Sequence, residues 1–235
     1  MAGPAIYSGL GAPLLKLSHP LNSEDGDQVG PGAYTLKGGA TIEANLARFD
    51  KGLLCDASNE FMDSDVKVAS LDVSDGARLA FHLFWQTDSL SFNRTFFTLT
   101  ESTFVGEKVR IFFDIGFGRI TLRWRRDVDL TAGKPIVDVN SNTGLFSINT
   151  PFEIFGFIDS GSISRGKIFV DGVDETASVL NVTGAIAGAG THDFLRLGNF
   201  INGLDPARSV DHFAMIQDPA MDDSKAAALA VQYTG

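Results

Sequence analysis

Lys108-Val109-Arg110-Ile111-Phe112-Phe113-Asp114-Ile115-Gly116-Phe117-Gly118-Arg119-Ile120-Thr121-Leu122-Arg123-Trp124 is two apolar runs folded about a Gly-Phe-Gly link. In the second run Ile120, Leu122 and Trp124 fall on one face of an extended chain, and Arg119, Thr121 and Arg123 on the other. That period of two belongs to a strand, because successive side chains there point to opposite sides. The glycines supply the freedom a tight reversal needs, so the stretch reads as a β-hairpin. It excludes a helix at this point, where the apolar period would be 3.6.

The same grammar extends in both directions. Arg78 to Trp85 places Leu79, Phe81, Leu83 and Trp85 on one face, and Asp65 to Val73 alternates cleanly before the turn signal Ser74-Asp75-Gly76. Thr95 to Thr100, Phe152 to Ile158, Gly166 to Asp174, Phe194 to Gly198 and Val210 to Ile216 read as further short strands. Thr41 to Phe49 alternates in part and is followed by a turn at Asp50-Lys51-Gly52. One helix is expected, over Asp222 to Val231, with Asp222 as its cap and alanines supplying propensity. Many short strands at regular spacing predict an all-β fold of two antiparallel sheets with one short C-terminal helix. Residues 1–39 differ in character, with Pro4, Pro13, Pro20 and Gly30-Pro31-Gly32 breaking any long element. They read as a Gly/Pro-rich arm or edge segment before a domain at 40–235, and the arm either covers the sandwich or docks on a partner subunit.

At 235 residues the chain is long enough for one sizeable sandwich. Phe 19 against Trp 2 and Tyr 3 points to a core built on rings that carry no polar handle. The net charge of -10 is the wrong sign for gripping a phosphate backbone or an anionic membrane, so neither nucleic acid nor membrane insertion is expected. No run of 18 apolar residues occurs, and Met1-Ala2-Gly3-Pro4 opens without a secretory pattern, so synthesis is expected in the cytoplasm. Cys55 is the single cysteine and lies in the apolar run Gly52-Leu53-Leu54-Cys55, which reads as a buried, inert thiol.

Catalytic signatures are missing. There is no Walker loop or nucleophile elbow, and His19, His82, His192 and His212 are scattered without metal-ligand spacing. Asp127 with Asp129 and Asp63 with Asp65 are same-face pairs, but neither has a glycosidase setting, so no enzyme is expected. A structural calcium ion would draw on Asp127, Asp129 and Asp138 with Asn140 and Asn142 nearby; the alternative is solvated acidic turns. A sugar site needs an aromatic face beside Asp, Asn or backbone donors. Trp85 and Asp88 in Trp85-Gln86-Thr87-Asp88, Asn140, Asn142 and the loop-edge His192 form that pool, with Phe117 among the further aromatics. Trp85 also shares a face with three core-like residues, so it reads either as core or as a platform. Arg123, Arg125 and Arg126 around an inward Trp124 read as a solvated face or as a spot for an acidic sugar or partner.

Three segments carry a resemblance. Ala47-Arg48-Phe49-Asp50-Lys51-Gly52-Leu53, Lys167-Ile168-Phe169-Val170-Asp171-Gly172-Val173, and Leu195-Arg196-Leu197-Gly198 through Ser209 to Met215 resemble successive strands of laminin-G-like, concanavalin-A-like jelly-roll domains. The tail from Pro219 to Leu229 is similar to the short helix that closes that family. The likeness covers about residues 40 to 233, and departs from the family at Phe152 to Ile158, where a Trp-His pair is common. It implies a jelly roll that binds a glycan or surface polysaccharide, or serves in attachment, without catalysis. A signal-less, cysteine-poor chain with such an arm also fits a subunit of a phage or phage-like particle, docked through residues 1–39 to copies or other particle subunits. A structural or decoration role without sugar is the alternative.

Overall fold

The computed structural model describes residues 15–19, 34–44, 51–55, 60–64, 78–91, 94–100, 107–114, 116–125, 136–159, 165–182, 194–198, 205–206 and 209–230. The first strands are β1 (Leu15–His19), β2 (Tyr34–Lys37), β3 (Thr41–Ala44), β4 (Lys51–Leu54), β5 (Phe61–Ser64) and β6 (Arg78–Gln86). Then come β7 (Arg94–Thr100), β8 (Glu107–Asp114), β9 (Arg119–Arg125), β10 (Ile136–Ser141), β11 (Phe152–Asp159) and β12 (Arg165–Val170). The last are β13 (Val173–Asp174), β14 (Thr176–Val182), β15 (Phe194–Gly198), β16 (Asp205–Pro206), β17 (Ser209–Gln217) and the helix α1 (Asp223–Ala230).

Two sheets result. The first runs β13-β12-β11-β6-β17-β4-β3, with β1 beside β17; the second runs β14-β10-β9-β8-β7-β15-β5-β2, with β16 beside β7. Among the described residues every pairing is antiparallel except β16 with β7. The expected two-sheet sandwich with one short C-terminal helix is what forms. The hairpin quoted first pairs Val109 with Trp124 through Asp114 with Arg119, and its tip closes by Gly118 N–H donating to Asp114 O at 2.7 Å. The described pieces of residues 1–39, β1 and β2, pair inside this chain, one in each sheet.

Alternation on the strands builds the core. Leu79, Phe81, Leu83 and Trp85 from the first sheet meet Ile111, Phe113, Leu122 and Trp124 from the second, all buried. A bulge between Thr95 and Phe97 turns both Phe96 and Phe97 inward. Cys55 lies in the same core. A second apolar cluster forms where α1 lays Ala226, Leu229 and Ala230 on Ala80, Phe155, Phe157 and Phe169. Asp222 caps that helix, its Oδ1 accepting from Lys225 N–H at 2.8 Å.

Several expectations of local structure are revised. Lys51 and Gly52 belong to β4 and not to the turn expected there, and residues 45–50 lie outside the described residues. Asp138 and Asn140 stand on β10, not in a loop, because Val137 and Val139 turn inward and set a strand alternation. The run Asp65 to Val73 lies outside the described residues. A single register row crosses the second sheet through Asp138, Arg123, Arg110, Thr98, Arg196 and Asp63. Charged and polar side chains thus share one face, and ion pairs stand at both ends of the row: Asp138 with Arg123, and Asp63 with Arg196.

Candidate ligand-binding site

Four connections converge at one end of the sandwich. They are the segment Thr87–Ser91 after β6, the hairpin tip Gly116–Gly118, the segment 142–151 between β10 and β11, and the turn Asp171–Gly172. Backbone bonds tie them together: Asn149 N–H donates to Thr87 O at 2.6 Å, Gly144 N–H to Gly118 O at 3.4 Å, and Asp171 N–H to Glu153 O at 2.9 Å. Asn149 and Asp171 adopt positive φ of 57° and 50°, a conformation in which short polar side chains are enriched. Asp171 supports its own turn, since its Oδ1 accepts from Glu153 N–H at 2.8 Å.

Phe117 stands at the hairpin tip with 59% of its surface exposed. The Arg119 guanidinium lies over its ring, 4.2 Å from the centroid, so one face of the ring is held by a cation–π contact. On the segment whose Gly144 reaches Gly118 of this tip, Asn142 is exposed, and its backbone N–H donates to Glu175 O at 2.7 Å while Nδ2 donates to Glu175 Oε2 at 2.8 Å. Ser147 Oγ and Thr150 Oγ1 are hydrogen-bonded at 2.9 Å, and both residues are exposed. Ile148 and Val173 add exposed apolar surface at the same end. The arrangement offers a flat ring, an amide, a carboxylate and hydroxyls to solvent.

The residues singled out from sequence divide sharply. Asp88 and Asn142 are exposed at this end. Trp85 is corrected: with 0% exposure it is core, packed on Phe96 at 4.9 Å, Phe146 at 5.5 Å and Phe113 at 5.6 Å, and no face is left for a sugar. Asn140 is corrected too. It is buried, its Oδ1 accepts from Thr121 Oγ1 at 2.9 Å and its Nδ2 donates to Ser178 Oγ at 3.2 Å, so both ends of the amide are engaged. Asp138 is not placed to bind a metal, because Arg123 Nε and Nη2 occupy its two oxygens at 2.8 and 2.7 Å. That bond also removes Arg123 from any free positive spot. Asp127, Asp129 and His192 lie outside the described residues. Phe117, at the tip of the deciding hairpin, was only one of several aromatics in the sequence; its place between two glycines on a reversal is the signal that exposes it.

The buried carboxylates are structural. Asp63 is bound by Arg196, Asp159 by Arg78, Asp218 by Lys225, and Glu153 Oε1 sits 2.9 Å from His82 Nε2. Among the described residues no group of three or more His, Cys, Asp or Glu is arranged to hold a metal ion, and no helix is long and apolar enough to cross a membrane. At the neighbouring edge Lys167 Nζ donates to Asp174 Oδ2 at 2.8 Å. That bond raises the Lys167 pKa against the opposing effect of burial. For Asp174 burial pushes upward, but hydrogen bonds from Lys167 and Thr176 outweigh it and the net direction is down.

No protein-family model matches the chain, and no curated protein matches it. Solved structures share its fold. Domain 4 of the extracellular arabinanase AbnA from Geobacillus stearothermophilus, in complex with arabinotriose, is similar at a TM-score of 0.57 and 15% identity, over 92% of this chain and 98% of that one. A botulinum neurotoxin type C structure, described by its interaction with two ganglioside molecules, is similar at 0.62 and 9% identity, over 95% of this chain and 52% of that one. The Trypanosoma rangeli sialidase in complex with the inhibitor DANA is similar at 0.59 and 11% identity, over 93% of this chain and 32% of that one. The chain therefore spans about half of the toxin chain and a third of the sialidase chain. The shared feature is the jelly-roll β-sandwich fold.

Proposed function

We propose that this domain is a non-catalytic carbohydrate-binding module whose ligand rests on the loop end around Phe117. The observation that carries this reading is the exposed ring of Phe117, steadied from one side by Arg119, at the same end of the sandwich as the exposed Asn142. The apolar face of a pyranose or furanose stacks on such a ring, while Asn142 Oδ1 accepts, and the Glu175 carboxylate accepts, from the hydroxyls at its edge. The arabinotriose complex of the AbnA domain and the ganglioside interaction of the toxin support a glycan as the ligand class. The pairing of the described buried carboxylates with bases supports a non-enzymatic role. We place the module on a particle or cell surface, where a glycan grip serves attachment.

A second reading is favoured by Ile148 and Val173, apolar and more than half exposed at the same end, at 53% and 58%. Such surface suits a protein contact, and with it a structural part of an assembly.

A glycan array of the purified domain, run with calcium and again with chelator, tests the proposal. Saturable binding is expected, weakened about tenfold by Phe117→Ala and by Asn142→Ala, and retained in Phe117→Tyr. Both positions are exposed, so unfolding curves stay within about 0.5 kcal/mol of wild type. Loss of binding with chelator alone puts a metal into the recognition through carboxylates other than Asp138. An array silent in both conditions, with folded protein, gives the loop end to the assembly reading.

A further inference from the structure

On the lateral edge of the sandwich, away from Phe117, a groove of about 530 Å³ runs between β12, β14 and the start of α1. Its making follows from strand alternation. Gly166 and Ile168 face the core, where a side chain on Gly166 has no room: a Cβ there would stand 2.2 Å from Val139 Cγ2 and 2.7 Å from Phe157 O. Arg165 and Lys167 are therefore turned to the outer face of the first sheet, which α1 partly covers. Asp222, Asp223 and Ser224 form the facing wall.

The charges on these walls are unequal in their commitments. Lys167 is held by Asp174 at 2.8 Å, and Asp222 is engaged in capping α1. Arg165 and Asp223 are both exposed, and among the described residues neither side chain makes a hydrogen bond or ion pair, although the Asp223 charge acts on Lys167 across the groove. A guanidinium and a carboxylate thus line one groove with no direct bond between them.

We propose that this groove binds a small zwitterion, with the ligand's carboxylate on the fork of Arg165 and its ammonium on Asp223. Guanidinium and carboxylate match as paired donors and acceptors, which an amine on the same wall would not reproduce. The methylenes between the two charges lie over Val179, the apolar part of the lining. A ligand with one charge leaves the opposite wall unmatched. This site is independent of the glycan reading, since it shares no residue with the loop end.

The test is a titration of the full chain, isotope-labelled, with ω-amino acids from 4-aminobutyrate to 8-aminooctanoate, followed through the amides of Gly166, Lys167 and Thr176. Matched alkanoates and alkylamines serve as single-charge probes. One length is expected to give saturable shifts with an affinity about fivefold better than either single-charge analogue. Arg165→Gln reduces that ligand to the level of the alkylamine, and Asp223→Asn reduces it to the level of the alkanoate. Phe117→Ala leaves the titration unchanged. Absence of saturable shifts across the whole series, or zwitterions binding no better than single charges, overturns the proposal. So does a loss of binding in Phe117→Ala with both groove residues intact.

Discussion

Trp85→Ala lowers the stability of the fold by about 3–5 kcal/mol, the range for emptying a large aromatic site in a packed core. The ring is fully enclosed and touches Phe96 and Phe113 of the second sheet as well as Phe146. Phe146 belongs to the segment 142–151 and packs in turn on Phe152 at 5.1 Å. The cavity therefore opens directly beneath the loop end, and Trp85→Ala weakens glycan binding as a consequence of lost support. Trp85→Phe separates the two roles. Trp85 Nε1 is buried without an acceptor, so the smaller ring forfeits no hydrogen bond. Urea unfolding is expected to show a modest loss for Trp85→Phe, with glycan affinity kept. A wild-type unfolding curve for Trp85→Ala would mean the ring is not core.

Asp63→Ala is expected to cost a similar amount, about 3–5 kcal/mol, because it breaks a buried two-pronged ion pair by removing one partner. Arg196 donates from Nε to Oδ1 at 2.6 Å and from Nη2 to Oδ2 at 2.8 Å, and its guanidinium lies 3.7 Å from the centre of the Phe61 ring. Both partners are about nine-tenths buried. Removing the carboxylate takes this two-pronged bond away from a guanidinium that is about nine-tenths buried. Replacing both, as Asp63→Leu with Arg196→Met, recovers most of the loss, since no charge then remains to be desolvated. Lys167 with Asp174 is the internal contrast: that pair is partly exposed, and Asp174→Ala stays below about 1 kcal/mol. Chemical denaturation of the three variants reads this directly. Equal, small effects at Asp63 and Asp174 would show that solvent reaches both pairs alike.

These two sites also mark how far the sequence is legible. The inward face of β9 follows from alternation alone, and so does the Gly116–Gly118 reversal, because apolar and polar residues there separate cleanly by face; β6 is less clean, since Ala80 and Phe84 on its other face are buried as well. β5 does not announce itself. Asp63 interrupts Phe61-Met62-Asp63-Ser64 with a residue typical of turns, and its partner Arg196 is 133 positions away. β10 hides for the same reason: Asp138 and Asn140 look like loop oxygens until Arg123 and Thr121 are seen opposite them in register. A polar residue on a strand can be read as ligand, loop or cross-strand partner, and only the neighbouring strand decides. Trp85 shows the converse. Its position at a strand end suggested a platform, but the segment carrying Phe146 folds over it. Asn142, two residues beyond Asn140, escapes burial because the strand ends at Ser141.

The claim that binding lives at the loop end is tested most directly by titrating the tightest array glycan into isotope-labelled protein and mapping the perturbed amides. Shifts are expected to concentrate in residues 116–118, 142–150 and 171–175, with Gly166 and the Asp63–Arg196 row silent. Shifts centred on the outer face of either sheet, with the Phe117 tip unmoved, would contradict it.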